Sequence, residues 1–143
     1  MEIRELHWLI TIVQNLEVGL VILDEENRIQ VWNGFMESHS GQLSHEVKDQ
    51  NLFIRFPELD SAWLTRKLEM VRTLNSKAFI SWEQRPWLFR FSNYRPITGT
   101  ADHMYQNVTI MPLADFTGTI RHMAILIYDV TDQAMARLAE EAR

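Results

Sequence analysis

The sequence contains no cysteine, and that absence removes disulfides, thiolate nucleophiles and cysteine-ligated metals together. It fits a reducing compartment, so a cytoplasmic location is expected. No apolar run approaches the roughly 20 residues that span a bilayer. The start, Met-Glu-Ile-Arg-Glu, has no basic region followed by an apolar signal core, so no direct membrane insertion by this segment is expected. The net charge of −5 is spread without acidic or basic blocks, which disfavours a nucleic-acid surface. The motifs of catalysis are missing too: there is no nucleophile elbow, phosphate-cradling glycine loop, zinc-spaced histidine pair or phosphate-binding lysine motif. Asp60 and Glu69 fit a solvated helix face better than a catalytic pair, and no enzymatic activity is expected of this segment.

What is present is enough for one globular domain with a real core: 143 residues, 46% hydrophobic and 23% charged. Its organising stretch is residues 121–131, Arg-His-Met-Ala-Ile-Leu-Ile-Tyr-Asp-Val-Thr. Met123, Ile125 and Ile127 are apolar, and so are Ala124, Leu126 and Tyr128 between them, so a strand here needs cover on both faces. Asp129-Val130-Thr131 stops the pattern, and Thr131 is read as the N-cap of a helix over residues 132–143. That helix carries Met135, Leu138 and Ala142 at the spacing of a coiled-coil seam.

Upstream, Ile3, Leu6, Leu9, Ile10, Val13 and Leu16 recur at helical spacing, which predicts an amphipathic helix that serves either as a core helix or as a cap and dimer element. Residues 19–23 and 28–32 flank the turn residues Asp24-Glu25-Glu26-Asn27 and predict a hairpin. Asn33-Gly34 breaks it, and residues 35–38 and 43–47 read as short helices separated by Gly41. Residues 58–75 form the longest central helical pattern. From there the period changes to two: Trp87, Phe89 and Phe91 alternate with Leu88, Arg90 and Ser92, predicting a strand that ends near Arg95. A further strand is expected over residues 104–113, closed by Pro112, and a last one over residues 120–128. The order is that of an α+β domain, with no internal repeat and no low-complexity tract.

The element order, together with Gly-Leu-Val-Ile-Leu-Asp-Glu-Glu-Asn-Arg-Ile-Gln-Val-Trp-Asn at residues 19–33 and the terminal Asp129-Val130-Thr131, resembles a PAS domain over nearly the whole chain. The resemblance implies an α+β, PAS-like five-stranded antiparallel sheet with short helices on one face, an N-terminal cap helix and a C-terminal signalling helix. It implies a bacterial sensory module whose Asp-Val-Thr segment, Asp129 and Thr131 above all, relays a signal to an output domain, a histidine kinase or a GGDEF diguanylate cyclase. Residues 89–99 and 104–107 resemble most closely the PAS domains that precede GGDEF proteins. The implied division is a cap helix at 1–16, a PAS core at 17–131 and the start of a coiled-coil linker helix at 132–143.

The light-sensing, flavin-binding branch of that family carries an adduct-forming cysteine where this chain, at Asn51-Leu52-Phe53-Ile54-Arg55, has Leu52. The amide of that branch's last strand falls on Ile127, which has no side-chain hydrogen-bonding group. Flavin-adduct photochemistry is excluded. Two polar positions of that branch are retained in type as Asn93 and Gln106, and these amides are the expected polar ligand contacts. Strand alternation then sends Trp87, Phe89, Phe91, Val108, Ile110, Met123, Ile125 and Ile127 to the same side. The expected ligand site is therefore Asn93, Gln106, Phe91, Val108, Ile110, Ile125 and Ile127. The competing reading is a filled core with no room for a ligand, since each aromatic side chain buries about 150 to 250 Å².

No cofactor is assigned. Haem would need a histidine such as His39 or His45 in a variant geometry, because the central helix has none; non-covalent flavin could stack on Trp32, Trp63, Trp82 or Trp87; neither is favoured. Arg90 is expected to pair with a surface acid, and Arg95 stays open as an anion contact. Apolar Ala124, Leu126 and Tyr128 on the outward face, beside the N-terminal helix, predict a homodimer or intramolecular cover. The expected function is small-molecule sensing relayed to a dimeric output domain, and the alternative is a ligand-free dimerisation or protein-interaction module.

Overall fold

The computed structural model describes residues 1–92 and 102–143. In chain order the elements are helix α1 (Ile3–Asn15), strands β1 (Gly19–Leu23) and β2 (Ile29–Trp32), helices α2 (Gly34–Ser40), α3 (Ser44–Val47), α4 (Leu52–Arg55) and α5 (Ser61–Leu74), strands β3 (Ala78–Ile80), β4 (Gln106–Ala114) and β5 (Ile120–Asp129), and helix α6 (Thr131–Glu141). The strands form one antiparallel sheet in the order β2-β1-β5-β4-β3.

Alternation along β5 sets the two faces of this sheet. Met123, Ile125 and Ile127 stand opposite Pro112, Ile110 and Val108 of β4 and Leu23, Val21 and Gly19 of β1, so their side chains share one face. That face is buried against Met36 of α2, Val47 of α3, Leu52 of α4, and Leu64, Leu68 and Val71 of α5. The helices thus cover one side of the sheet, as expected. On the other face Ala124 is buried, Leu126 is half-buried and Tyr128 is exposed.

The expected helices and hairpin are found where the caps put them. Asp60 Oδ1 accepts the Trp63 amide and starts α5, and Asn75 ends it at φ 48°, in the left-handed region. Leu52–Arg55 form an additional short helix, α4, because the N-cap Asn51 Oδ1 accepts the amides of Phe53 and Ile54. Leu52, in the place of the adduct cysteine, is a fully buried core residue.

Among the described residues the aromatic alternation does not form the expected strand beyond a single bridge at Ser92. The third strand is Ala78–Ile80, and residues 87–91 run irregularly with Leu88 and Phe89 both buried in succession. The backbone of this segment reaches the chain at and before β4 only at its ends, through the Gln106 backbone amide on the Pro86 carbonyl and the Met104 amide on the Phe91 carbonyl, both at 2.8 Å, and a Ser92–His103 bridge; between them the Leu88 and Phe89 amides donate to Gln106 Oε1 at 2.8 and 3.3 Å, and Gln106 Nε2 donates to the Phe89 carbonyl at 2.7 Å. Asn93, Arg95 and the expected strand end lie outside the described residues. Pro112 does not close β4, which continues to Ala114. Pairing with β3 ends at Ile110, so the proline sits where β4 has no neighbour on that side and its missing N–H costs no ladder bond.

Thr131 is also corrected. It is the first residue of α6, with Val130 in the cap position and no side-chain cap. Its hydroxyl is committed elsewhere, donating to Asp129 Oδ1 at 2.6 Å and accepting from the Tyr105 amide at 3.1 Å.

Candidate functional site

One buried amide assembles the site. Asn33, at the end of β2, accepts from the Leu20 amide at 3.0 Å and the Met36 amide at 3.4 Å with Oδ1, and donates through Nδ2 to the carbonyls of Val13 at 3.0 Å and Val18 at 2.8 Å. A single side chain therefore ties the end of α1, the following linker, β1 and the start of α2. The next residue must be small: a Cβ on Gly34 would lie 2.2 Å from the Gln14 carbonyl oxygen, so glycine lets α1 close onto α2. Gln14 Nε2 then donates to Glu37 Oε1, and the Ser44 amide donates to Glu37 Oε2, both at 2.7 Å.

This closure frames a cleft of about 660 Å³, lined by residues 14–17, by Gly34, Phe35, Glu37, Ser38 and His39 of α2, and by Ser92, Met104 and Asp129. The His39 ring lies 4.3 Å from Phe35 and 5.8 Å from Phe91. Burial pushes its pKa below the usual histidine range, and the Asp129 carboxylate opposes that shift.

Asp129 also faces the other way. Its Oδ1 accepts the Thr131 amide at 3.0 Å and the Thr131 hydroxyl, while the Val130 amide bonds the Tyr105 carbonyl at 2.9 Å. The first turn of α6 is therefore pinned to β5 and to Tyr105, the residue before β4, with Thr131 and Ala134 buried and residues 136–143 exposed. Of the expected seam, Met135 is half-buried, and Leu138 and Ala142 are exposed.

The residues expected to bind a ligand are brought together, but as packing. Phe91, Val108, Ile110, Ile125 and Ile127 belong to the buried core, and none lines the cleft. Around them Trp32 stacks on Phe56 at 5.1 Å, Phe89 on Phe91 at 5.4 Å, and Phe89 meets Trp32 edge-on at 5.8 Å. Gln106 points inward with 0% exposure, and its amide is engaged by the backbone of residues 88 and 89. Asn93 lies outside the described residues. Arg90 sits at the surface, 3.8 Å from Asp102 and over the Trp87 ring. Among the described residues no group of three or more His, Cys, Asp or Glu is placed to hold a metal ion, and no helix is long and apolar enough to cross a membrane.

Comparison with known proteins agrees with this architecture. The model of the PAS fold matches residues 9–126. A sensory box sensor histidine kinase from Vibrio cholerae is 28% identical, with 90% of this chain and 93% of that one covered and a TM-score of 0.64. A PAS domain from Colwellia psychrerythraea (13% identity, 90% and 98% covered, TM-score 0.65) and that of Bordetella pertussis BvgS (12% identity, 97% of both chains, TM-score 0.63) share the fold. No curated protein matches the sequence. With a five-stranded sheet in this order and a family match over most of its length, the chain belongs to the PAS fold family.

Proposed function

We propose that the domain is a sensory input module in which occupancy of the cleft is passed through Asp129 and Thr131 to α6, and from α6 to a dimeric output domain. The observation that carries this is the double placement of Asp129, which lines the cleft and holds the first turn of α6 with the same carboxylate. A shift of that carboxylate toward or away from a ligand changes what holds the helix, which is the differential contact a two-state relay needs. Gln106, Phe91, Val108, Ile110, Ile125 and Ile127 form the rigid layer behind the relay. A histidine kinase is the preferred output, since the similar Vibrio cholerae protein is described as a sensor histidine kinase; a diguanylate cyclase is the second choice.

A double-mutant cycle tests the relay without a known ligand. Ser38→Trp places a bulky ring in the cleft, and Asp129→Ala removes the link. Hydrogen exchange in the first turn of α6 should change with Ser38→Trp and stop responding in the Asp129→Ala background, with a coupling of about 0.5–3 kcal/mol. Additive effects would remove the relay.

Dimerisation rests on α1. None of its residues is buried, and Leu6, Leu9, Ile10 and Ile12 are each about half exposed. A 13-residue helix is marginal in water without tertiary cover, and a second copy supplies it. The domain should sediment as a dimer, and Leu6→Glu with Ile10→Glu should convert it to a monomer without unfolding; a monomer at the outset would refute this.

A second reading is favoured by the filled interior: a ligand-free PAS module whose role is dimerisation or partner docking. It predicts an additive cycle together with an intact dimer.

A further inference from the structure

We infer that α1 of each copy is seated between two surfaces of a second copy, the partner's α1 on one side and the outer face of the partner's sheet on the other; this rests on the reading of the domain as a dimer joined through α1. The helix has more apolar surface than one neighbour can cover. At about 100° of rotation per residue, Ile3, Leu6 and Ile10 form one stripe and Trp8, Leu9 and Ile12 a second, and together they span about 220° of the circumference. A single covering surface takes an arc of about 100°. All of these side chains are at least 47% exposed, so a lone helix–helix seam would bury the first stripe and leave the second in water.

The outer face of the sheet has the matching deficit. Leu20 and Ile22 of β1, Met111 and Leu113 of β4, and Leu126 and Tyr128 of β5 share that face by register, and each is half-exposed or exposed. A contiguous apolar face of this kind marks an interface. The sizes agree: the 13 residues of α1 make a rod about 20 Å long, and five strands at about 4.8 Å spacing are about 19 Å across. The helix does not lie on its own sheet. Among the described residues, the hydrogen bonds joining α1 to the rest of the domain fall at Val13 and Gln14, and its neighbour α2 belongs to the helical layer on the opposite side of the sheet, with residues 3–12 exposed. A seam between two α1 helices projects over about 200 Å², small against the about 800 Å² per partner of a standard interface. A helix–sheet seat of the same footprint in each direction triples the contact and brings it to that scale.

Isotope mixing isolates the contact between copies. His7→Cys, on the polar side of α1, supplies the sole thiol of a chain without cysteine and carries a nitroxide label; this copy, at natural isotope abundance, is mixed with nitrogen-15 parent domain so that only broadening between copies is read. Amides of residues 20–22, 111–113 and 124–128 should broaden together with those of α1. Leu126→Lys sets an unpaired charge beneath the partner's helix and should raise the dimer dissociation constant at least about tenfold, with the circular dichroism of the parent retained; if that variant does not fold, the broadening pattern decides. A dimer whose broadening is confined to α1, or whose dissociation constant is unchanged by Leu126→Lys, overturns the sheet seat and leaves the α1 dimer standing. Broadening of the sheet seen only when the label and nitrogen-15 are on the same chain places α1 on its own sheet and overturns the seat as well. A monomer in sedimentation overturns the seat and the α1 dimer together, so the two readings fail by different results.

Discussion

Asn33→Ala is expected to destabilise the domain by about 3–5 kcal/mol, since each buried partner left unsatisfied costs about 1–3 kcal/mol and some of them regain water. Two of the four groups, the Val13 and Val18 carbonyls, belong to α1 and its linker, and the other two, the Leu20 and Met36 amides, belong to β1 and α2. The loss should therefore be uneven. Hydrogen exchange should rise first in residues 13–20 and the start of α2, and the cleft wall built from residues 14–17 should open. Asn33→Asp separates the two halves of the network. It keeps an acceptor for Leu20 and Met36 but turns a carboxylate toward two carbonyls, so α1 should detach while the sheet stays protected. Denaturant titration checks the size and exchange checks the place; a change below about 1 kcal/mol with uniform protection would show that the amide is not the tie it looks like.

The contrast between Asn33 and the sheet shows what was legible in the residues alone. Along β4 and β5 the inward residues Val108, Ile110, Ile125 and Ile127 are all buried, and an alternation enforced by a one-sided core is written directly into the sequence. The hairpin and α5 are legible for similar reasons, through turn residues and caps. Residues 87–91 carry the same period without forming a regular strand, because Phe89 and Phe91 are anchored in the core while Trp87 stays half-buried against His103, and the backbone at Leu88 and Phe89 is bonded by a glutamine side chain, a partner that no local pattern encodes. Asn33-Gly34 had the form of a chain breaker, yet the asparagine is a buried hub and the glycine a contact point for the Gln14 carbonyl. The cleft was invisible for a further reason. Its walls come from separate segments, residues 14–17, α2, and Ser92, Met104 and Asp129, each polar enough to pass for surface. Among the lining residues the sequence singles out Asp129 as part of the terminal Asp-Val-Thr. His39 was weighed as an iron ligand, and the structure places it in the cleft wall.

Gln106→Leu should be a strongly destabilising change in the sheet, by about 3–6 kcal/mol, because the buried Leu88 and Phe89 amides lose their partner at about 1–3 kcal/mol each and the Phe89 carbonyl loses one of its two donors, the Phe91 amide remaining. That is comparable with the total stability of an ordinary domain, about 5–15 kcal/mol, so much of the population should be unfolded at 37 °C. A glutamine kept only to greet a ligand would behave oppositely: removing an unengaged buried amide from the empty domain would be neutral or stabilising. Gln106→Glu sharpens the distinction through pH. The carboxylate can still accept the Leu88 and Phe89 amides, but only its protonated form can donate to the Phe89 carbonyl, and burial raises its folded pKa. A raised folded pKa confers stability that is fully present below the ordinary glutamate range and is lost as pH rises through the folded value. The glutamate variant should therefore approach the parent in stability relative to it near pH 4 and fall behind progressively at neutral pH, whereas the leucine variant should show no such recovery. If both variants melt with the parent at every pH, residues 87–91 do not depend on this amide, and the inward layer is free to serve as a binding surface after all.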